Sequence, residues 1–377
     1  MCTYSASCSG CSKWGTPYSD QITNKIRRLK GLLNEKDLIY EPEIQFLSCG
    51  ESGLRNRADF TLEFDEKTGR HIVGFYDVTK KLMQIDVCLQ MNPELQKAYS
   101  EFIEFRFFHG IQPVRKGSVR LRVGPAGLKG CWLDFSNMDI KHLLEDQKVL
   151  IEILNKGFIV EVGQKGKQLV RENNVLKLKD PVARNWMKTR DHNGRDLQLN
   201  CLISDFTQPS WLTGGAMVTQ VLHWTSALKK VTHVLEFGPG IGQFTLGFLT
   251  AGYKIAAFEI SKAASEQLAA NAITHGLENN LQVNIGDFHR LQVKTEELRQ
   301  QLIFVNPARS GLKNFTDEIL KINPQHLIYV SCFPESMCDD LVKLKDSFRL
   351  RNIIIIDQFP QTEHFEVCLL LENYTKE

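Results

Sequence analysis

The sequence has little of what a membrane or secreted protein requires. No run among its 377 residues approaches the roughly eighteen consecutive apolar residues of a transmembrane helix. The N-terminus, MCTYSASCSGCSKWG, lacks both the basic start and the apolar core of a signal peptide. These absences argue against membrane spanning and secretion, so we expect a cytoplasmic protein without a membrane partner.

The sequence also has almost no excess of charge. It contains 46 Lys and Arg residues against 44 Asp and Glu, which excludes the strongly basic balance of a chain that binds nucleic acid over its whole surface. Ten cysteines in a chain of this length do not indicate a disulfide framework, which is typical of small secreted domains. They are therefore expected to be core residues, metal ligands or nucleophiles.

The second half of the chain alternates predicted strands and helices. Apolar strand-like runs include HVLEFGPG, YKIAAFEIS, LQVNIGD, QLIFVNP and HLIYVSC. Such alternation predicts an α/β fold with a mostly parallel sheet, whose ligands bind beyond the carboxyl ends of the strands. Because the first half mixes short strands with helical stretches, we predict an α+β domain over residues 1–205 and an α/β domain over residues 206–377.

A glycine-rich loop follows the first strand of the predicted α/β domain. VLEFGPGIGQF carries Gly238, Gly240 and Gly242, and glycine lets the backbone approach a ligand closely. Glu236 stands at the strand end, and Glu259 ends the next strand, where a carboxylate can accept hydrogen bonds from ribose hydroxyls. Both a dinucleotide and S-adenosylmethionine suit such a carboxylate, and the E-x-G-x-G-x-G form favours S-adenosylmethionine.

Reactive and polar side chains stand at the ends of three other strands. Asn306 follows QLIFV, Cys332 follows HLIYVS, and Glu366 precedes the last apolar strand. A cysteine alone is as consistent with packing as with chemistry. A thiol, a carboxylate base and a methyl-donor loop at one rim together suggest methylation of an electron-poor pyrimidine ring.

Four segments carry a family resemblance. NPARSGL, YVSCFPESM and HFEVCLLL resemble successive motifs of the RNA uracil-5-methyltransferase family, and DFTQPS resembles its Phe-Phe-Gln-x-Asn segment. The resemblance implies a Rossmann-like class I S-adenosylmethionine methyltransferase domain, with Cys332 as the nucleophile and Glu366 as the base that removes the C5 proton. Together with the glycine-rich loop, it gives as cofactor-binding residues Gln208, Glu236, Gly238, Gly240, Gly242, Glu259 and Asn306.

The resemblance also narrows the expected substrate. Asn306-Pro307, where many members have Asp-Pro, resembles the shorter bacterial 23S ribosomal RNA branch of the family. Together with the cysteines near the front of the chain and the short N-terminus, this motif leads us to expect methylation of a uridine in 23S ribosomal RNA. We also expect a monomer. Transfer RNA uridine, RNA cytosine and a catalytically inactive RNA-binding protein are the alternatives, and the intact Cys332 and Glu366 argue against the last of these.

Four cysteines near the front of the chain suggest a bound metal. Cys2, Cys8 and Cys11 form C-x5-C-x2-C, and Cys88 is a distant fourth thiol. Four thiolates hold either a tetrahedral zinc ion or a [4Fe–4S] cluster, and the spacing alone separates these poorly. Iron–sulfur relatives in the resembled family carry a comparable trio and a later fourth cysteine, so the resemblance favours a [4Fe–4S] cluster. It also implies the branch of the family without an N-terminal TRAM domain.

RNA contacts are expected from the first domain. The period of two in VRLRV sends Arg120 and Arg122 to one strand face, where they can meet phosphates or form a solvated face. Phe107, Phe108 and Trp186 can stack on unpaired bases, although aromatic residues in such runs are more often core residues.

Overall fold

The alternation of strands and helices predicted for the second half of the chain is present. The computed structural model describes residues 2–105, 108–109, 112–135, 144, 147–286 and 302–376, with only the backbone at 108–109, 112–113, 164 and 376. Within these ranges the chain contains two eight-stranded sheets, one in each of two compact units.

The bounds of the elements are as follows. The α-helices are α1 Tyr18–Glu35, α2 Pro93–Phe102, α3 Gln147–Asn155, α4 Trp211–Ala227, α5 Thr245–Thr250, α6 Lys262–Thr274, α7 Phe315–Ile322 and α8 Pro334–Leu344. The strands are β1 Ile44–Ser48, β2 Arg57–Asp65, β3 Arg70–Tyr76, β4 Leu82–Gln84, β5 Phe108–His109, β6 Gln112–Pro113, β7 Lys116–Val123, β8 Lys129–Asp134, β9 Phe158–Val162, β10 Lys167–Glu172, β11 Val175–Lys179, β12 Arg184–Arg190, β13 Asp196–Cys201, β14 His233–Phe237, β15 Lys254–Glu259, β16 Leu281–Ile285, β17 Leu302–Val305, β18 His326–Ser331, β19 Phe348–Asp357 and β20 Glu366–Asn373. None of the helices in these ranges combines the length and the apolar composition that crossing a membrane requires.

The two units are not continuous in the chain. The first unit comprises Met1–Gly15, Gly50–Met187 and Asn200–Trp211, and the second comprises Thr16–Cys49, Lys188–Leu199 and Leu212–Glu377. The predicted division at residues 205 and 206 lies near the last passage of the chain between the units. It placed residues 16–49 in the first domain, whereas β1 pairs with β19 near the other end of the chain. As a division of function, the predicted boundary stays a prediction.

The second unit is built on a mostly parallel sheet with the order β1-β19-β20-β18-β17-β14-β15-β16. Only β20 runs antiparallel to its neighbours, β18 and β19. Its first residue therefore lies at the edge where the parallel strands end. We call this edge, where β1 and β14 to β19 end and β20 begins, the carboxyl edge.

The core of the second unit explains why its strands are so apolar. All six residues of β18 are buried, as expected of a strand covered on both faces. Leu29 and Leu33 of α1, Ile319 of α7 and Met337 of α8 belong to the same core cluster as the central strands. Each such side chain contributes about 1.5–3 kcal/mol when fully buried, so the helices fix the sheet that carries the carboxyl edge.

The first unit has its own sheet and core. Its strand order is β11-β10-β9-β8-β7-β2-β3-β4, with β8 and β9 parallel and the other pairs antiparallel. Helix α2 begins at Pro93, and the side chain of Asn92 accepts a hydrogen bond from the Leu95 amide, which caps the helix. Residues of α2 and α3, including Tyr99 and Ile153, pack into this core. Strands β12 and β13 form one two-stranded sheet, and β5 and β6 form another.

Candidate active site

The carboxyl edge gathers five of the predicted site residues. Three of them directly follow strands: Gly238 follows β14, Asn306 follows β17 and Cys332 follows β18. Glu259 ends β15, and Glu366 begins β20. Because these five strands are consecutive neighbours in the order β20-β18-β17-β14-β15, the sheet brings all five residues to one edge of the second unit.

Cys332 and Glu366 lie opposite each other on neighbouring strands. The antiparallel pairing of β18 with β20 ends at Ser331 opposite Val367, so the next opposed residues are Cys332 and Glu366. Cys332 is half-buried, whereas Glu366 is 2% exposed. The pairing therefore places a partly accessible thiol beside a buried carboxyl group.

The surroundings perturb both of these groups. Burial raises the pKa of Glu366 to about 7, while the charge of Arg309 lowers it. Burial also raises the pKa of the Cys332 thiol, and the charge of Glu366 raises it further. A carboxyl group that titrates near neutral pH is suited to act as a general base.

NPARSGL places an arginine at the same rim as the thiol, but the predicted site residues did not include it. This residue, Arg309, contacts the Cys332 thiol. Its guanidinium donates a hydrogen bond to Cys332, and both this bond and its charge lower the pKa of the thiol. A cation beside a thiol and a carboxyl group favours the ionised form of each. The signal was available, because Arg309 stands three residues after Asn306 in NPARSGL and follows the neighbouring strand.

One face of α1 holds the loop that leads into Glu366. Lys25 and Asp357 form an ion pair of 2.7 Å between side chains that are 3% and 0% exposed. The other α1 residues that hydrogen-bond residues 357–363 are Tyr18, Gln21 and Arg28. Removing one partner of such a buried pair costs about 3–5 kcal/mol, since a charge is left uncompensated. The loop before Glu366 is therefore firmly fixed.

The glycine-rich loop has a backbone that requires glycine. Gly238, Gly240 and Gly242 have φ values of 74°, 58° and 100°, which L side chains rarely adopt. A Cβ on Gly242 would lie 2.6 Å from Leu268 Cδ1, whereas a Cβ on Gly240 would meet no atom of the described residues within 4 Å. The loop is therefore closely packed at Gly242 and open at Gly240, where a ligand has room to approach.

Glu259 ties this loop to the end of the next strand. Its Oε2 accepts a hydrogen bond of 3.0 Å from the Gly240 amide, and its Oε1 accepts one of 2.9 Å from the Ser261 amide. A carboxylate has about four lone-pair sites, so two amide bonds leave it able to accept hydrogen bonds from ribose hydroxyls. The open loop and this carboxylate fit an adenosyl cofactor.

The other predicted cofactor residues differ in placement. Glu236 is 0% exposed, and burial raises the pKa of its carboxyl group to about 8, while the neighbouring Thr245 hydroxyl lowers it. Asn306 is half-buried, and its backbone carbonyl oxygen lies 3.6 Å from the position that a Cβ on Gly238 would take. Gln208 is buried in the first unit.

The four front cysteines share one neighbourhood in the first unit. Burial raises the pKa of Cys11, and the charges of Cys88, Cys8 and Cys2 raise it further. Within the described part of the chain, no group of three or more His, Cys, Asp or Glu side chains is arranged to hold a metal ion. The thiols are thus neighbours without the geometry of a formed metal site, and the predicted cluster is not confirmed.

The expected phosphate-binding face of VRLRV is not present as predicted. Arg122 is 0% exposed and donates hydrogen bonds to carbonyl oxygens in the 202–205 turn. Arg120 donates a hydrogen bond of 2.6 Å to Asp59. The prediction for Arg122 is wrong because its guanidinium satisfies the carbonyl groups of a buried turn, a long-range contact that strand periodicity does not reveal.

Three aromatic residues were considered as stacking partners for bases or, more often in such runs, as core residues. Trp186 is 1% exposed and is a core residue. Phe107 and the side chain of Phe108 lie outside the described residues. Phe206, two residues before Gln208, is 77% exposed, and the Arg57 guanidinium lies 5.6 Å from its ring centroid. Phe206 is therefore an accessible aromatic side chain that the sequence predictions missed.

Comparison with known proteins decides the family. Residues 175–374 match the family model described as tRNA (Uracil-5-)-methyltransferase. The chain belongs to this family. It is an RNA (uracil-C5-)-methyltransferase that uses S-adenosylmethionine, as the motifs predicted.

The methyltransferase is similar to curated proteins over nearly its whole length. An RNA methyltransferase of Bdellovibrio bacteriovorus is 35% identical over 99% of this chain and 95% of that protein. A 23S rRNA (uracil(1939)-C(5))-methyltransferase of Marinomonas is 26% identical over 99% of this chain and 80% of that protein. A tRNA/tmRNA (uracil-C(5))-methyltransferase of Serratia proteamaculans is 27% identical over 94% of this chain and 97% of that protein.

A solved structure supports the fold. The methyltransferase aligns with the Pyrococcus abyssi tRNA (uracil-54, C5)-methyltransferase, solved with S-adenosyl-L-homocysteine, at a TM-score of 0.70 and 19% identity. The alignment covers 97% of this chain and 86% of that one. The predicted Rossmann-like methyltransferase fold is confirmed.

Proposed function

We propose that this enzyme methylates C5 of a specific uridine in 23S ribosomal RNA through a covalent adduct between Cys332 and C6. The observation that carries the proposal is the opposition of Cys332 and Glu366 at the carboxyl edge, with Arg309 acting on both. Nucleophilic attack on C6 and removal of the C5 proton need a thiolate and a base close to one pyrimidine ring.

The residues at the edge divide the reaction between them. The Cys332 thiolate, stabilised by Arg309, attacks C6 and moves the electrons of the C5=C6 bond toward C5 and the C4 carbonyl. S-adenosylmethionine, when bound, supplies the methyl group that C5 takes. Glu366 then removes the C5 proton, and the electron pair of the C–H bond restores the C5=C6 bond as Cys332 leaves as a thiolate. The target uridine must be unpaired or flipped, because a stacked base hides C5 and C6.

The cofactor is proposed to bind at the loop after β14. Glu259 accepts the ribose hydroxyls, and the backbone at Gly240 leaves room for the adenosyl group. The remaining residues assigned to the cofactor are Gln208, Glu236, Gly238, Gly242 and Asn306.

Glu259→Ala is expected to weaken S-adenosylmethionine binding by about 1.5–3 kcal/mol, the usual value of hydrogen bonds to a charged group. Isothermal titration calorimetry measures this loss directly. Glu266→Ala, on the exposed face of α6, is the matched control and should bind normally. An unchanged Kd for Glu259→Ala, or preferential binding of NAD by the unmodified enzyme, would overturn the assignment of the loop.

The choice of 23S ribosomal RNA rests on the Asn306-Pro307 motif and on relatives such as the Marinomonas enzyme. Other relatives are named as tRNA methyltransferases, so the RNA substrate of this enzyme needs a direct test. Ribosomal RNA and transfer RNA without 5-methyluridine are incubated separately with enzyme and labelled methyl donor, and the nucleosides are identified by mass spectrometry. We expect 5-methyluridine in 23S ribosomal RNA. Label in transfer RNA alone, label in cytidine, or no label would refute the proposal.

A [4Fe–4S] cluster is proposed to bind Cys2, Cys8, Cys11 and Cys88. Its support is the donor chemistry of four thiols in one neighbourhood. Because the ligands of such a site approach their final geometry only when metal binds, neighbouring thiols without a formed site are compatible with metal-linked folding.

Enzyme purified without oxygen is expected to be brown and to contain about four irons per chain, as a four-cysteine cubane requires. Cys88→Ser should lose the iron and destabilise the first unit. Cys49→Ser, which changes a half-buried cysteine of the second unit, should keep it. Elemental analysis and visible absorption measure both outcomes, and stoichiometric zinc in a colourless enzyme would contradict the cluster.

The first unit is proposed to provide most of the RNA contacts, with Phe206 as an exposed stacking residue. The enzyme is proposed to act as a monomer in the cytoplasm. Sedimentation analysis at working concentration measures the oligomeric state, and a stable dimer would contradict the proposed monomer.

A further inference from the structure

Glu366 has a buried amide partner whose role no motif indicated. Gln358 is 2% exposed, and its Nε2 donates a hydrogen bond of 2.9 Å to Glu366 Oε1. The amide oxygen of Gln358 accepts a hydrogen bond of 3.1 Å from the hydroxyl of Thr213, which is 0% exposed. A buried chain of hydrogen bonds thus runs from α4 through the end of β19 to the carboxyl group at the start of β20.

We propose that Gln358, held by a hydrogen bond from Thr213, is a positioning residue that fixes the Glu366 carboxyl group so that Oε2 receives the C5 proton. This inference rests on the proposed role of Glu366 as the base. Gln358 touches neither the ring nor the cofactor in this account, and it acts only through Glu366.

The geometry gives each partner a distinct task. An amide side chain can turn over and exchange its oxygen and nitrogen. The oxygen of Gln358 lies on the α4 side, and the NH2 group faces Glu366. The reverse orientation would place an amide oxygen against an ionised carboxylate. The ionised carboxylate only accepts hydrogen bonds and so requires the NH2 group of Gln358, and the Thr213 hydroxyl then donates to the amide oxygen and holds the side chain in place.

A fixed carboxylate matters because its last torsion is otherwise soft. The χ3 angle of a glutamate is broad and roughly two-fold, so a buried carboxyl group without a partner samples several orientations. Misplacement of a reacting group by about 1 Å can cost on the order of 100-fold in rate. With Oε1 engaged by Gln358, Oε2 is the oxygen presented to the proton.

The same bond affects the charge of Glu366. Among the described residues, the titratable and charged groups that interact with this carboxyl group are Arg309 after β17, Cys332 after β18 and Cys368 within β20. A donor N–H favours the ionised carboxylate, so loss of the Gln358 amide raises the pKa of Glu366. In enzyme without this amide, the rate of proton removal should therefore increase with pH over a higher pH range than in the unmodified enzyme.

The test separates the step that Glu366 performs from the step that Cys332 performs. RNA carrying tritium at C5 of its uridines is used in single turnovers, with tritium release reporting proton removal and a denaturing quench reporting adduct formation. Gln358→Met, which keeps the length of the side chain without the amide, should slow tritium release about 10- to 100-fold. Adduct formation should stay within about two-fold, because attack by the thiol is untouched.

Matched variants of α4 check the second bond. Thr213→Val should slow tritium release, but less than Gln358→Met does. As in Gln358→Met, adduct formation should stay near its normal rate. Thr225→Val removes another buried hydroxyl of α4, one that hydrogen-bonds only the Val221 carbonyl in the described contacts, and it should leave both steps unchanged. In Gln358→Met the acid limb of the release rate should move to higher pH.

The outcomes distinguish failure of the inference from failure of the proposed function. Tritium release at the normal rate in Gln358→Met, or equal slowing of release and adduct formation, would overturn the positioning role. If Glu366→Gln blocks release while Gln358→Met does not, Glu366 is still the base and only the role of Gln358 fails. Normal release by Glu366→Gln would instead show that the proposed base is wrong.

Discussion

Cys332→Ala is expected to abolish methylation of the RNA. Without the thiolate, C5 of uracil is too weak a nucleophile to take the methyl group, and no adduct with C6 can form. We expect the rate to fall by at least about 10³-fold, in line with the removal of other covalent nucleophiles. Transfer of labelled methyl groups to RNA measures this loss, and S-adenosylmethionine binding should remain nearly normal.

A second cysteine at the same edge provides the control. Cys49 follows β1 at the carboxyl edge and is half-buried like Cys332. Cys49→Ala should therefore methylate RNA at close to the normal rate, which would exclude a general effect of losing a thiol from this edge. Near-normal turnover by Cys332→Ala would show that the nucleophile is misassigned.

Glu366→Gln is expected to trap the reaction after methyl transfer. Glutamine matches glutamate in shape but cannot accept the C5 proton, so Cys332 cannot be eliminated. The enzyme should accumulate as an adduct with methylated RNA, visible as a slower band under denaturing conditions, and turnover should fall by about 10²- to 10⁴-fold. Glu372→Gln, in the same strand and paired with Arg349 and Arg351, should give neither effect.

The rate at which Glu366 removes the C5 proton should depend on pH. Burial raises the pKa of this carboxyl group to about 7, and only the ionised form removes a proton. In the unmodified enzyme, proton removal should therefore accelerate as the pH rises through about 7 and then level off. A rate of proton removal that falls over this range would argue against a carboxylate base.

The sequence was most informative where a site residue directly follows a strand of the parallel sheet. Gly238, Asn306 and Cys332 each follow an apolar strand, and parallel strands deliver such residues to the carboxyl edge whatever the loops between them do. Glu366 was predicted to reach the same edge because it stands just before an apolar strand, and it does so because β20 is antiparallel to β18 and β19.

Long-range pairing set the limit of prediction. Residues 16–49 were assigned to the first domain because their local pattern fits any amphipathic helix followed by a short strand. Their place in the second unit depends on β1 pairing with β19 and on the buried Lys25–Asp357 ion pair. Neither contact has a local signature, since the partners are more than three hundred positions apart.

Buried polar contacts were the other limit. Arg122 has the alternation of an exposed strand residue, yet it satisfies carbonyl groups of a buried turn. Gln358 reads as an ordinary polar residue after a strand, yet it lies between Thr213 and Glu366. Burying a polar group is tolerated only when a partner satisfies it, and the partner is set by the fold.

Cys332 and Glu366 are proposed to act on the same uracil ring, Cys332 at C6 and Glu366 at the proton of C5. The most direct test is mass spectrometry of the adduct formed by Glu366→Gln with RNA and S-adenosylmethionine, after digestion of both protein and RNA. We expect a peptide containing Cys332 that carries a uridine nucleotide plus one methyl group. An adduct at another cysteine, a nucleotide without the methyl group, or only unmodified Cys332 peptide with normal turnover would contradict it.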